Sequence, residues 1–169
     1  CEIAVSATSD EIAPGDYTFL IYAWNYVGLR PDIKLVAISD NTEVQKHILT
    51  IMQYAADYHE ANGDYNAKWN LMDGLHYEKW KEVKAKYVQD VKAECDYRLE
   101  QLAHSANQRE AIFRDMLAKA EDEKIIRMRT SQLEKLLVDF ERQKRGMDET
   151  VSRAEIKTNL LVKGILHVE

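Results

Sequence analysis

Six cations in one stretch, Lys124, Arg127 and Arg129 followed by Arg142, Lys144 and Arg145, have the type and spacing to do chemistry. Ranged along a helix edge they could contact a phosphate backbone, or an acidic partner, through nonspecific and strongly salt-dependent interactions. Lys79, Lys81, Lys84 and Lys86 form a second cluster. Cations alternating with acids on a helix usually make a solvated face, and that is the favoured reading of both clusters. Tyr22, Trp24 and Tyr26 alternate along a strand and could stack on bases. Packing against the helix expected over Val44 to Ala55 is the simpler use for them.

Catalytic and metal chemistry find little support. The five histidines, His47, His59, His76, His104 and His167, show no HxxxH or HExxH spacing, and position 63, where His59 would need its helical partner, is glycine. Cys95 falls in an apolar stripe, where a small buried hydrophobe is expected, and no GxSxG elbow occurs. No GxxxxGK[ST] loop is present to cradle a nucleotide's phosphates. The sequence therefore predicts no catalytic, cofactor-binding or metal-ligating residue, no cofactor and no enzymatic activity within these residues.

The elements that would position the cations are legible in hydrophobic spacing. Tyr17 to Tyr26 is dense in aromatic and β-branched residues, follows the turn signal Pro14-Gly15-Asp16, and reads as a strand. Ile33 to Ser39 reads as its hairpin partner, and Ile3 to Ala7 as a short further strand, giving an antiparallel sheet. Thr42 with Gln45 has the form of a capping box, so a helix is expected from there to near Tyr58, with Val44, Ile48, Ile51, Met52 and Ala55 as its buried stripe. His59 to Gly74, punctuated by Gly63-Asp64 and Asp73-Gly74, reads as a connector anchored by Trp69, Leu71 and Met72.

From Leu75 to Arg145 the chain holds neither glycine nor proline over 71 residues, which leaves few readings other than helix. Six acid-to-base pairs at four-residue spacing support an exposed face: Glu82 with Lys86, Glu94 with Arg98, Glu110 with Arg114, Asp115 with Lys119, Glu123 with Arg127 and Glu141 with Arg145. A narrow stripe of Trp80, Val83, Tyr87, Val91, Cys95, Leu99 and Leu102, and another of Leu133, Leu137, Phe140 and Met147, has the look of a coiled-coil seam. A single helix of this length would reach roughly 100 Å with its seam wet, so a fold-back is expected. Ser105 with Gln108 marks the preferred turn, His104 to Gln108, with Glu121 to Glu123 as the alternative. Gly146 should fray the returning helix, and Thr158 to Val168 reads as a last strand.

The expected architecture is thus α+β and mainly α: a long antiparallel helical hairpin on a small antiparallel β-sheet base with one packed helix. The base spans 1–74, the hairpin arm 75–150, and the returning strand 151–169. Charge divides along the same lines. Residues 1–74 carry 4 basic and 11 acidic side chains, 75–150 carry 16 of each, and 151–169 carry 3 and 2. An acidic base repels a phosphate backbone and a balanced arm has no net attraction for it, so tight autonomous binding to duplex DNA is not expected. Two cysteines, Cys1 and Cys95, are too few for a disulfide framework, and no apolar run reaches the roughly 20 residues of a membrane span, so a soluble, cytoplasmic domain is expected. A chain that opens at Cys1 inside a strand-like pattern reads as a piece of something longer.

Four features of residues 109–169 carry a resemblance: the KIIRM run at Lys124 to Met128, the Gln132-Leu133 pair, the DET..SRAEI passage ending at Ile156, and a closing V.G.L.V at Val162, Gly164, Leu166 and Val168. In these features the stretch resembles the C-terminal region of bacterial helicase-related proteins of the Snf type. The resemblance implies a non-catalytic appendage of a DNA translocase, with any ATPase lying outside these residues. Its partner would be the parent motor or another protein, with DNA reached through the parent. Two rival functions are a nonspecific nucleic-acid-binding arm and a coiled-coil module that pairs two copies.

Overall fold

The computed structural model describes residues 2–55, 58–60 and 63–169. The chain divides into two compact units, Cys1–Lys86 with Glu155–Glu169, and Tyr87–Ala154. Eight elements follow in order: β1 (Glu2–Ala7), β2 (Gly15–Val27), β3 (Asp32–Ser39), α1 (Thr42–Tyr54), β4 (Tyr58–Glu60), α2 (Asn66–Ala118), α3 (Glu123–Arg153) and β5 (Glu155–Val168).

The first unit is built on a five-stranded sheet in the order β3-β2-β5-β1-β4. Strand β5 runs antiparallel to β2 but parallel to β1, so the sheet is mixed, and this overturns the expected antiparallel base. Hairpin connection dictates antiparallel pairing only for strands joined by a tight turn, as β2 and β3 are. β1 and β5 are separated by nearly the whole chain, and nothing in that connection fixes their direction.

The two faces of the sheet are covered differently. Val5, Phe19, Ile21, Ala37, Leu166 and Val168 form one core with Val44 and Ile48 of α1. That stripe of α1 is the one its spacing predicted. The capping differs: Asn41, not Thr42, caps α1, its side chain accepting from the backbone N–H groups of Glu43 and Val44, while Gln45 Oε1 accepts from Ser39 N–H at 3.2 Å. A cap must stand just before the first helical residue in extended backbone, and that position belongs to Asn41.

The opposite face lies under the beginning of α2. Trp69 and Met72 are 3% and 1% exposed, and Met72 Sδ lies 4.0 Å from Thr18 Oγ1 on β2. Leu71, expected to anchor this stretch, is exposed. The segment from 66 to 74 is therefore helix and not connector. Gly74 costs the helix about 1 kcal/mol relative to alanine, but nothing lies within 4 Å of the place its Cβ would occupy, so it is a solvent-side position held by packing elsewhere in the helix.

Gly164 shows what the closing V.G.L.V pattern does. It stands opposite Phe19, and a Cβ there would lie 2.1 Å from Phe19 Cζ, so only glycine leaves room for the buried ring. Gly164→Val is expected to destabilise the protein by about 1–3 kcal/mol, the usual range for overfilling a packed core, read as a lowered urea midpoint with unchanged slope. An unchanged midpoint would mean that the ring can swing aside.

In the second unit α2 runs through His104 to Gln108 without a break, and the helix ends instead at Ala118, with Asp122 capping α3 by accepting from Lys124 and Ile125 N–H. Capping-box letters are present at Ser105 and Gln108, but a cap works only where the backbone already leaves the helix; mid-helix the Gln108 side chain lies 3.0 Å from His104 Nε2. Gly146 does not fray α3, which continues to Arg153. The expected long antiparallel helical hairpin on a small antiparallel base is thus replaced by a 53-residue helix, a 31-residue helix and a mixed sheet. Among the described residues no helix is long and apolar enough to cross a membrane.

Candidate functional site

The six candidate contact cations all lie on α3 but not on one edge. Lys124 and Arg142 share a line along the helix, as do Arg127 and Arg145, each pair about five turns or roughly 27 Å apart. Arg129 and Lys144 stand four residues from Leu133 and Phe140 and so lie towards the packed side. Acids accompany them: Arg127 pairs with Glu123 at 2.6 Å and Arg142 with Asp139 at 2.8 Å, while Arg129 donates to Gln132 at 2.9 Å. Four of the six expected acid-to-base pairs close at 2.6–2.8 Å on the two helices. All are solvent-exposed ion pairs of small energetic weight, and each offsets the charge of its own cation.

What these helices present instead is apolar surface. Ile112 and Met116 on the last turns of α2, and Ile125, Ile126 and Met128 on the first turns of α3, are each between 37% and 54% exposed. They flank the turn at 119–122. Three of them belong to the KIIRM run, so the motif is displayed and not buried. Farther from the turn, Leu102, Ala106 and Phe113 of α2 and Leu136 and Phe140 of α3 line a groove of about 350 Å³, rimmed by Arg109, Lys135 and Asp139. Ser105 and Ala106 contribute to this lining. Their small size, read from sequence as a turn, opens a gap between packed helices.

Among the described residues a buried polar cluster lies in the first unit, where α2 covers the sheet. His76, 3% exposed, stacks on Tyr22 with ring centroids 3.4 Å apart and planes within 2°. Its Nε2 accepts from the Trp24 indole N–H at 2.9 Å, and Thr158 Oγ1 lies 3.2 Å from the same nitrogen. An indole nitrogen only donates, so this ring nitrogen carries no proton and the neutral Nδ1–H tautomer is inferred. Burial pushes the His76 pKa below its usual value, with Asp73 opposing that shift and Lys79 adding to it. The Tyr22 hydroxyl donates to Asp73, and burial, with that bond and the carboxylate's charge, raises its pKa well above the phenol range. Trp80 and Trp69 extend the seam, their indole N–H groups donating to the Ile156 carbonyl at 2.8 Å and the Gly164 carbonyl at 3.5 Å.

Tyr22 and Trp24 are therefore buried under α2, neither displayed to bases nor packed on α1. The signal that could have found this cluster is the spacing Trp69, Met72, His76, Trp80, a helical stripe with one polar member. Reading Asp73-Gly74 as a helix boundary cut that stripe in two. The other histidines lie on exposed or half-exposed surface: His47 sits 3.0 Å from Glu11, and His167 contacts Asp16. Cys95 is buried, which pushes its thiol pKa up and leaves it a poor nucleophile. Among the described residues no three His, Cys, Asp or Glu side chains converge in a way that could hold a metal ion.

No protein-family model matches the chain, and no curated protein matches it.

Proposed function

We propose that the chain is a non-enzymatic interaction module of a helicase-like, DNA-processing protein, and that it presents the α2–α3 turn to a protein partner. The observation that carries this reading is the exposed apolar set Ile112, Met116, Ile125, Ile126 and Met128, beside the acid-paired cations Arg127 and Arg142 and on a stretch, 75–150, that carries 16 basic and 16 acidic side chains. Clustered apolar side chains at the surface mark protein contacts, whereas phosphate contact needs cations that outnumber their neutralising acids. The first candidate partner is a motor domain of the Snf type, because the KIIRM run that carries that resemblance is part of the exposed set. Direct DNA binding by the α3 cations is the weaker alternative for the reason of charge balance.

Two measurements on one preparation test this. Titration with a purified Snf-type motor is expected to show binding that the double substitution Met116→Glu and Ile126→Glu weakens at least tenfold, equivalent to about 1.4 kcal/mol. Fluorescence anisotropy with duplex and single-stranded DNA at low salt is expected to show no binding at tens of micromolar protein. Tight, steeply salt-dependent DNA binding would replace the reading with that of a nucleic-acid-binding arm. A motor titration unaffected by the double substitution would remove the turn as the contact.

A further inference from the structure

We propose that His76 is a proton-operated latch: protonation of its Nε2 releases the first turns of α2, residues 66–80, from the sheet face they cover. The geometry allows one protonation state. The Trp24 indole N–H points at Nε2 from 2.9 Å and can only donate, so a proton on that nitrogen would set two N–H groups against each other. The Thr158 hydroxyl, 3.2 Å away, can rotate to accept, but Trp24, 2% exposed, is left a buried donor without its acceptor. The imidazolium would also sit in a site that is 3% exposed, where its stack on the Tyr22 ring offsets only part of the cost of taking the charge out of water.

The charged and titratable groups that bear on the ring are few. On α2 itself Asp73 favours the charged ring and Lys79 opposes it. From β2 comes Tyr22, whose hydroxyl already engages Asp73 and which stays protonated through neutral pH. From β5 comes Thr158, which does not titrate. Burial dominates the sum and the ring's pKa lies below 6.5 in the folded protein. In the window between that lowered value and 6.5 the unfolded or released state binds more protons than the closed one, so the closed contact is fully stable above the window and loses stability as pH falls through it. All three tryptophans, Trp24, Trp69 and Trp80, make hydrogen bonds in this one seam, so their emission reports on the latch directly.

The test is tryptophan emission of the full chain, followed together with helical circular dichroism from about pH 8 to about pH 4.5, a range that brackets an ordinary histidine. The expected result is a reversible red shift below pH ~6.5 with most helical signal retained, and its loss in His76→Gln, whose amide oxygen still accepts from Trp24 but does not titrate. The same transition at an unchanged midpoint in His76→Gln would overturn the proposal. Should that variant fail to fold, nuclear magnetic resonance of the wild-type imidazole decides. A ring titration that coincides with the emission change supports the latch. A ring that titrates without that change, or that stays neutral over the whole range, overturns it.

Discussion

Replacing Leu133 by aspartate is expected to destabilise the second unit by roughly 3–5 kcal/mol, the sum of lost apolar packing and of a carboxylate moved away from water. Few side chains of this unit are deeply buried: Val91 and Cys95 of α2 and Leu133 of α3 are 5%, 2% and 9% exposed, and the small Ala154 is 9% exposed. With so small a core, each member carries a large share of the packing that holds two charged helices together, since surface ion pairs supply little. Leu99, only half-buried, should tolerate aspartate better, and Leu137→Asp, at a position 38% exposed, should cost less than about 1 kcal/mol. Urea unfolding followed at the helical circular dichroism band measures all three. Equal midpoints for Leu133→Asp and the unsubstituted protein would mean that α2 and α3 are not joined through this position.

Phe19→Ala should have an effect of similar size in the first unit, about 3–5 kcal/mol, because the ring is 0% exposed and fills the space over Gly164. The pairing makes a sharper prediction than the single substitution. With the ring gone, the obstacle that a Cβ at 164 would meet is gone too, so Gly164→Val should cost much less in the Phe19→Ala background than alone. A double-mutant cycle on unfolding free energies is expected to give a coupling of about 1 kcal/mol or more in the compensating direction. Additive effects would show that Phe19 and Gly164 matter separately.

Strand and helix identities were legible where one local pattern decided them. The aromatic run of β2 and the 3.6-residue stripe of α1 bury surface against whatever lies beside them, so local spacing was enough. The direction of β5 was not legible, because parallel or antiparallel pairing with β1 depends on where a strand returns after two long helices. The start of α2 was hidden by Asp73-Gly74, a turn signal that tertiary packing of Trp69, Met72 and His76 overrides, whereas Gly63-Asp64 does stand outside the helix. At Ser105-Ala106 small residues that read as a turn line a gap between helices, and the break came at 119–122, overlapping the alternative position Glu121 to Glu123. The candidate cations were found by composition, but their ion pairs and their separation around α3 emerge only once the helix phase is fixed.

The His76 cluster follows the same rule from the other side. A lone histidine between apolar helical positions is ordinarily a satisfied core residue, and nothing in its neighbours along the chain names Trp24 and Thr158, which are 52 and 82 residues away, as its partners. Only the sheet brings β2 and β5 side by side beneath α2.

Amide hydrogen exchange of the chain with and without a purified Snf-type motor tests the proposed contact most directly, since it reads where a partner lands without altering any residue. Slowed exchange confined to the last turns of α2 and the first turns of α3, around Ile112 to Met128, is the predicted result. Slowed exchange on the sheet instead, or none at motor concentrations in the tens of micromolar, would contradict the turn as the surface that this chain offers to a protein.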